Sequence, residues 1–146
     1  MTTRWVAGIL LGVWLAAGLL LTLEPIEPPA GLVVVPNLIP LHTIAIYFAN
    51  LDSPFWIRQL VGNLVLLLPV GLLAPIAFPA LNGWIRIFLV ALALSVAIEV
   101  AQLWIPNRMP DVDDVLLNVA GAMLGYAILS VARLGSGPRR ALAEHD

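Results

Sequence analysis

Four stretches of this chain run for about twenty residues with almost no charge, and that leaves few folds open. They are Trp5–Leu23, about Leu60–Phe78, about Trp84–Ile105 and about Val115–Val131. Roughly 20 apolar residues cross a bilayer as a helix. In lipid the backbone has no water to bond, so only helices and closed barrels span. The two-residue alternation of a barrel strand is absent. The expected fold is therefore an all-α integral membrane protein: a four-helix transmembrane bundle, read as one domain over 1–146. Composition agrees, at 61% hydrophobic and 11% charged, where a soluble domain has about 45–50% apolar and about 25% charged residues.

The first stretch exceeds the 7–15 apolar residues of a signal-peptide core, and its small residues Ala16, Ala17 and Gly18 lie inside the run, so an uncleaved anchor is expected. With four spans, Arg4, Arg86, Arg133, Arg139 and Arg140 fall on one side, and Arg58 and Arg108 on the other. The positive-inside rule then puts both termini in the cytoplasm. The connection 24–57 lies outside. Its prolines and its aromatic residues Tyr47, Phe48, Phe55 and Trp56 suit an interfacial or re-entrant segment, with a short helix around Thr43–Leu51. Residues 135–146 read as a loose cytoplasmic tail. The chain has no cysteine, which rules out disulfides and thiolate metal sites. A net charge of −2 gives no electrostatic case for nucleic acid as a partner.

Charge is concentrated where the third and fourth spans meet. Ser95, Glu99 and Gln102 follow the i, i+4, i+7 spacing of one helix face. A charged group at the centre of a membrane helix costs on the order of 2.5–3.5 kcal/mol, so this stripe should face the bundle interior. A buried Glu99–Arg108 pair that only holds the helices in register is one reading. A working site is the other. Asp111, Asp113 and Asp114 open the fourth span, and one aspartate would suffice to cap it. Asp114, Asn118, Gly121 and Gly125 share a narrow face, with the glycines suited to close helix approach. In the second span Asn63 lies near the outer end with Arg58 above it, and Pro69 and Pro75 should bend the helix. Asn63, Glu99 and Asn118 are thus expected to converge at one depth.

The binding candidates are Arg58, Asn63, Glu99, Gln102, Arg108, Asp111, Asp113, Asp114 and Asn118. Glu99 is the catalytic candidate if there is one. Three nitrogen or sulfur ligands for zinc cannot be assembled. Asp111, Asp113 and Asp114 are the metal candidates, and they would favour a hard divalent cation such as Mg²⁺.

Three blocks of residues resemble the VanZ-like family. Asn37-Leu-Ile-Pro40 with Thr43-Ile44 is similar to its N-L-I-P-F-x-T-I segment, with Leu41 where an aromatic is usual. Gly62-Asn63 with Leu67, Pro69 and Gly71 resembles its second-helix pattern. Ser95, Glu99, Gln102, Arg108, Asp111, Asp113, Asp114, Asn118, Gly121 and Gly125 resemble its most specific block, with Asn107 where glycine is common. The resemblance covers residues 37–126. It implies a small multi-span protein of the bacterial plasma membrane, in a family named for a protein linked to teicoplanin resistance. Some members lower sensitivity to glycopeptides that carry lipid tails.

Three functions follow as expectations. The first is binding of a membrane lipid head group, a lipid-linked cell-wall precursor or a lipoglycopeptide at the outer leaflet. The second is an enzyme acting on a lipid-linked diphosphate with a divalent ion. The third is a structural membrane subunit with the polar cluster as internal glue. The sequence leaves catalysis and oligomeric state open.

Overall fold

The computed structural model describes every residue except Pro29, Leu32, Val34 and 136–146. Among the described residues six α-helices follow one another: α1 (Thr2–Thr22), α2 (His42–Ala49), α3 (Pro54–Leu66), α4 (Leu68–Ala77), α5 (Trp84–Gln102) and α6 (Val112–Gly135). A 3-10 turn covers Pro79–Leu81. Among the described residues the only β-type pairing is an isolated parallel bridge between Asn37 and Asp111. Helix α1, the joined pair α3 and α4, α5 and α6 are each long and apolar enough to cross a membrane. The chain is a multi-pass all-α membrane bundle, as its apolar stretches imply. Of the expected tail, Gly135 closes α6, and the rest lies outside the described residues.

Some boundaries differ from the sequence reading. The second span starts at Pro54, six residues before Leu60, because Ser53 is extended and proline is preorganised for the first helical position. Arg58 and Gln59 therefore sit inside its first two turns. Helix α5 stops at Gln102, three residues before Ile105. Helix α6 starts at Val112, which places Asp113 and Asp114 in its first turn. The short helix of the long connection is His42–Ala49.

Helix α6 is central. It packs on α3, α4 and α5, while α1 rests mainly on α4. Glycines permit this. A Cβ on Gly121 would run into the Leu64 carbonyl, one on Gly125 into that of Leu68, and one on Gly71 into that of Ala122. Backbone cannot swing aside as a side chain can, so these three positions fix how closely the helices approach. Leu67, Val70, Ala74, Ile87, Ala91 and Ala122 fill the core around them.

The two prolines of the second span act differently. Pro69 has no N–H to give, and the helix breaks beside it. Val70 N–H donates to the Leu67 carbonyl at 3.0 Å, which leaves the Leu66 carbonyl without its usual helical donor. The Trp14 indole of α1 donates to that carbonyl at 2.9 Å. An unpaired carbonyl in hydrocarbon costs several kcal/mol, so α1 and the break stabilise each other. Pro75 lies within a continuous α4.

At one end of the bundle Arg4 Nε donates to the Ala77 carbonyl (3.4 Å) and Arg86 Nη1 to that of Ala80 (2.9 Å). Arg133 Nη1 and the Tyr126 hydroxyl both donate to Asn82 Oδ1, at 2.9 and 3.1 Å. Three arginines expected on one side thus gather at one end. Arg139 and Arg140 lie outside the described residues.

Candidate functional site

The opposite end is built around the entry to α6. Asp111 is the residue before the helix, and its Oδ1 accepts Asp113 N–H at 2.8 Å, an ordinary helix cap. Asp113 itself points the other way and is fully buried, at 0% exposure. Its Oδ1 accepts Leu41 N–H (2.6 Å), and its Oδ2 accepts Thr43 N–H (2.7 Å) and Ile44 N–H (3.1 Å). These donors open α2. Leu41 has φ +68°, a left-handed conformation that is costly for leucine. That conformation aims neighbouring N–H groups at one point and forms an anion nest. The Asp113 carboxylate fills the nest from a helix about 70 residues away in sequence.

Asn37 closes this clasp. Its Nδ2 is shared among Asp111 Oδ1 (2.8 Å), Thr43 Oγ1 (2.9 Å) and Asp113 Oδ2 (3.4 Å). Its backbone N–H donates to the Pro110 carbonyl, and its carbonyl accepts Val112 N–H. Glu99 Oε2 accepts Asp111 N–H at 2.9 Å. The buried Glu99–Arg108 pair, one reading of the stripe, is not formed. Glu99 holds the connector backbone, and Arg108 forms no ion pair among the described residues.

Beside the clasp lies a cavity of about 270 Å³. Val33, Val35, Leu38, Ile39, Ile46, Phe55 and Trp56 give it an apolar wall. Tyr47, Gln59, Gln102, Arg108, Asp111 and Asp114 give it a polar one. The Tyr47 hydroxyl donates to Asp114 Oδ1 at 3.1 Å. Burial, then the Asp114 charge, pushes that phenol far above its ordinary range, so it stays a donor. Burial pulls the Arg108 guanidinium below its usual range and the nearby Arg58 adds to this, while Asp114 and Glu99 oppose it. Arg108 Nε donates to the Glu24 carbonyl at 3.4 Å, and its Nη groups make no hydrogen bond among the described residues.

The nine candidates thus separate. Gln102, Arg108, Asp111 and Asp114 line the cavity, and Gln102 Nε2 also donates to the Thr22 carbonyl at 2.9 Å. Glu99 and Asp113 belong to the clasp. Arg58 is exposed on α3, close enough for its charge to act on Arg108. Asn118 lies one turn deeper than Asp114, 1% exposed, and its Nδ2 donates to Ser95 Oγ at 2.9 Å. Asn63 is half-buried and joins neither network. Asn63, Glu99 and Asn118, expected at one depth, share no hydrogen bond with one another among the described residues. Asp111, Asp113 and Asp114 do not fit a metal cage. Both Asp113 oxygens are occupied by N–H donors, and among the described residues no three His, Asp or Glu side chains converge.

Sequence reasoning gave no site role to Asn37, Tyr47, Gln59 or Trp56. Only the resemblance of the Asn37–Ile44 block pointed towards the clasp. Asn107 has φ +60°, which explains why glycine is common there and why asparagine, tolerant of that region, is accepted.

Among curated proteins, Protein VanZ of Enterococcus faecium is 28% identical over 75 residues, 51% of this chain and 46% of that protein. The match therefore spans less than half of that relative's length. No solved structure matches. The VanZ/LLP1 family model matches residues 7–133, from the first span to the last turns of α6. That match takes in the clasp, the cavity and nearly the whole of all four spans, and the chain belongs to the VanZ/LLP1 family.

Proposed function

We propose that the protein holds the polar head group of a membrane lipid or lipid-linked envelope precursor at the outer leaflet of the bacterial plasma membrane. One observation carries this reading. A single cavity joins an apolar wall to a polar wall on which the Arg108 Nη donors make no hydrogen bond among the described residues. An amphiphile presents the same two faces. Size narrows the ligand. Pockets that enclose drug-sized ligands run about 300–1,000 Å³, so about 270 Å³ takes a head group and leaves the tails outside. A glycopeptide is far too large to be enclosed. Any protection against lipid-tailed glycopeptides, which the resemblance implies for some members of the family, then works through the head group held here.

The test is expression in a glycopeptide-sensitive host. The unaltered chain raises the teicoplanin concentration needed for inhibition, and Arg108→Ala returns it to baseline at equal membrane abundance. Full protection by Arg108→Ala would sink the reading. The orientation proposed with it has both termini in the cytoplasm, supported by Arg4, Arg86 and Arg133 at one end of the bundle. The chain has no cysteine, so Asp52→Cys should label with an impermeant maleimide in whole cells and Thr3→Cys should not.

A further inference from the structure

We infer that the head group is zwitterionic, an ammonium joined to a phosphate by a short link as in phosphatidylethanolamine, with the phosphate on Arg108 and the ammonium on Asp114. This rests on the head-group reading above.

Arg108 and Asp114 face the same cavity and act on each other electrostatically. They form no ion pair among the described residues. Opposite charges in a partly buried space ordinarily close on each other unless something fits between them. Arg108 is tethered through Nε to the Glu24 carbonyl, which leaves the paired Nη donors for a phosphate. Arg58 lies close enough to strengthen the positive side. Asp114 is held by the Tyr47 hydroxyl through Oδ1, and Oδ2 makes no hydrogen bond among the described residues. Asp111 adds a second negative group to the wall.

A purely anionic head group would meet Asp111 and Asp114 without a counter-charge. A trimethylammonium has no N–H for Asp114 and is bulkier in a small cavity. A primary ammonium satisfies the carboxylate by charge and by hydrogen bonding. The apolar wall of Val35, Leu38 and Ile39, all largely exposed or next to exposed residues, gives the acyl chains an exit towards lipid.

The test uses the full chain in detergent. Native mass spectrometry reads lipids retained from equimolar phosphatidylethanolamine, phosphatidylcholine and phosphatidylglycerol. The unaltered chain should prefer phosphatidylethanolamine at least tenfold over each of the others. Asp114→Asn should erase the preference over phosphatidylglycerol, and Arg108→Ala should lose all three. Thermal melting of each variant establishes that it is folded, and the preference of the unaltered chain decides the matter even if a variant is not. Equal retention of phosphatidylethanolamine and phosphatidylglycerol, both lost in Arg108→Ala, overturns the zwitterion and leaves the head-group reading standing. Retention indifferent to Arg108→Ala overturns both. Soluble O-phosphoethanolamine binding as tightly as the lipid overturns the lipid source.

Discussion

Asp113 and Asp114 are neighbours in the first turn of the same helix, yet they belong to two different regions. Asp113 points into the clasp, where both of its oxygens are taken by backbone N–H groups of the α2 entry. Asp114 points into the cavity, where one oxygen accepts the Tyr47 hydroxyl and the other makes no hydrogen bond among the described residues. Two like side chains, one residue apart and turned by about 100° on the helix, therefore have opposite tasks. The comparison teaches that saturation separates scaffold from site. A carboxylate whose acceptors are used up by the chain's own backbone holds the fold. A carboxylate with an unused acceptor on a cavity wall is available to a ligand.

The strongest way to break this comparison is Asp113→Ala. It removes the acceptor of the partly buried Leu41, Thr43 and Ile44 N–H groups, each a hydrogen bond to a charged group worth about 1.5–3 kcal/mol. Stability should fall by at least about 3 kcal/mol, read as a large drop in melting temperature and in membrane abundance. A variant that melts like the unaltered chain would remove Asp113 from the scaffold. Next comes Glu99. Glu99→Ala strands one N–H, that of Asp111, and should cost about 1–3 kcal/mol. Glu99→Gln keeps an oxygen acceptor and should cost less than about 1 kcal/mol. If Glu99→Gln melts normally but no longer protects cells, its charge is used, and Glu99 moves from scaffold to site. Tyr47→Phe removes one hydroxyl bond and should cost about 0.5–1.5 kcal/mol, with head-group retention weakened because Asp114 loses its orienting donor. The smallest stability effect is expected for Asp114→Asn, below about 1 kcal/mol, since the amide oxygen still accepts from Tyr47. A large destabilisation by Asp114→Asn would erase the distinction between the two aspartates.

Much of the fold was legible because lipid leaves so few choices. Long uncharged runs must be helices, and the spans read at about Trp84–Ile105 and about Val115–Val131 follow directly. The face shared by Ser95, Glu99 and Gln102 is buried as its spacing requires. Gly121 and Gly125 sit where helix backbones touch. The site was legible as a place and much less as a set of roles. Spacing along one helix places residues on a face, but it does not tell which neighbour they meet. Asp113 meets α2 because Leu41 adopts a left-handed turn, and nothing in a leucine announces that. Asn37 lies in a proline-flanked connection with no periodicity to read. Its pairing with Asp111 joins residues 74 apart. Asn63 looked equivalent to Asn118, yet Asn118 bonds Ser95 on α5 while Asn63, on a helix that also packs on α6, shares no hydrogen bond with that pair among the described residues.

The distance along the chain between Asp113 and the nest it fills carries a consequence for biogenesis. During synthesis α2 emerges long before Asp113 exists, and a helix of eight residues is marginal by itself. The segment that walls the cavity therefore cannot take its final form until the last span has been inserted. A chain interrupted after α5 would hold three spans in the bilayer and still have no complete cavity. The cavity is in this sense a completion mark, present only in molecules whose every span has reached its place.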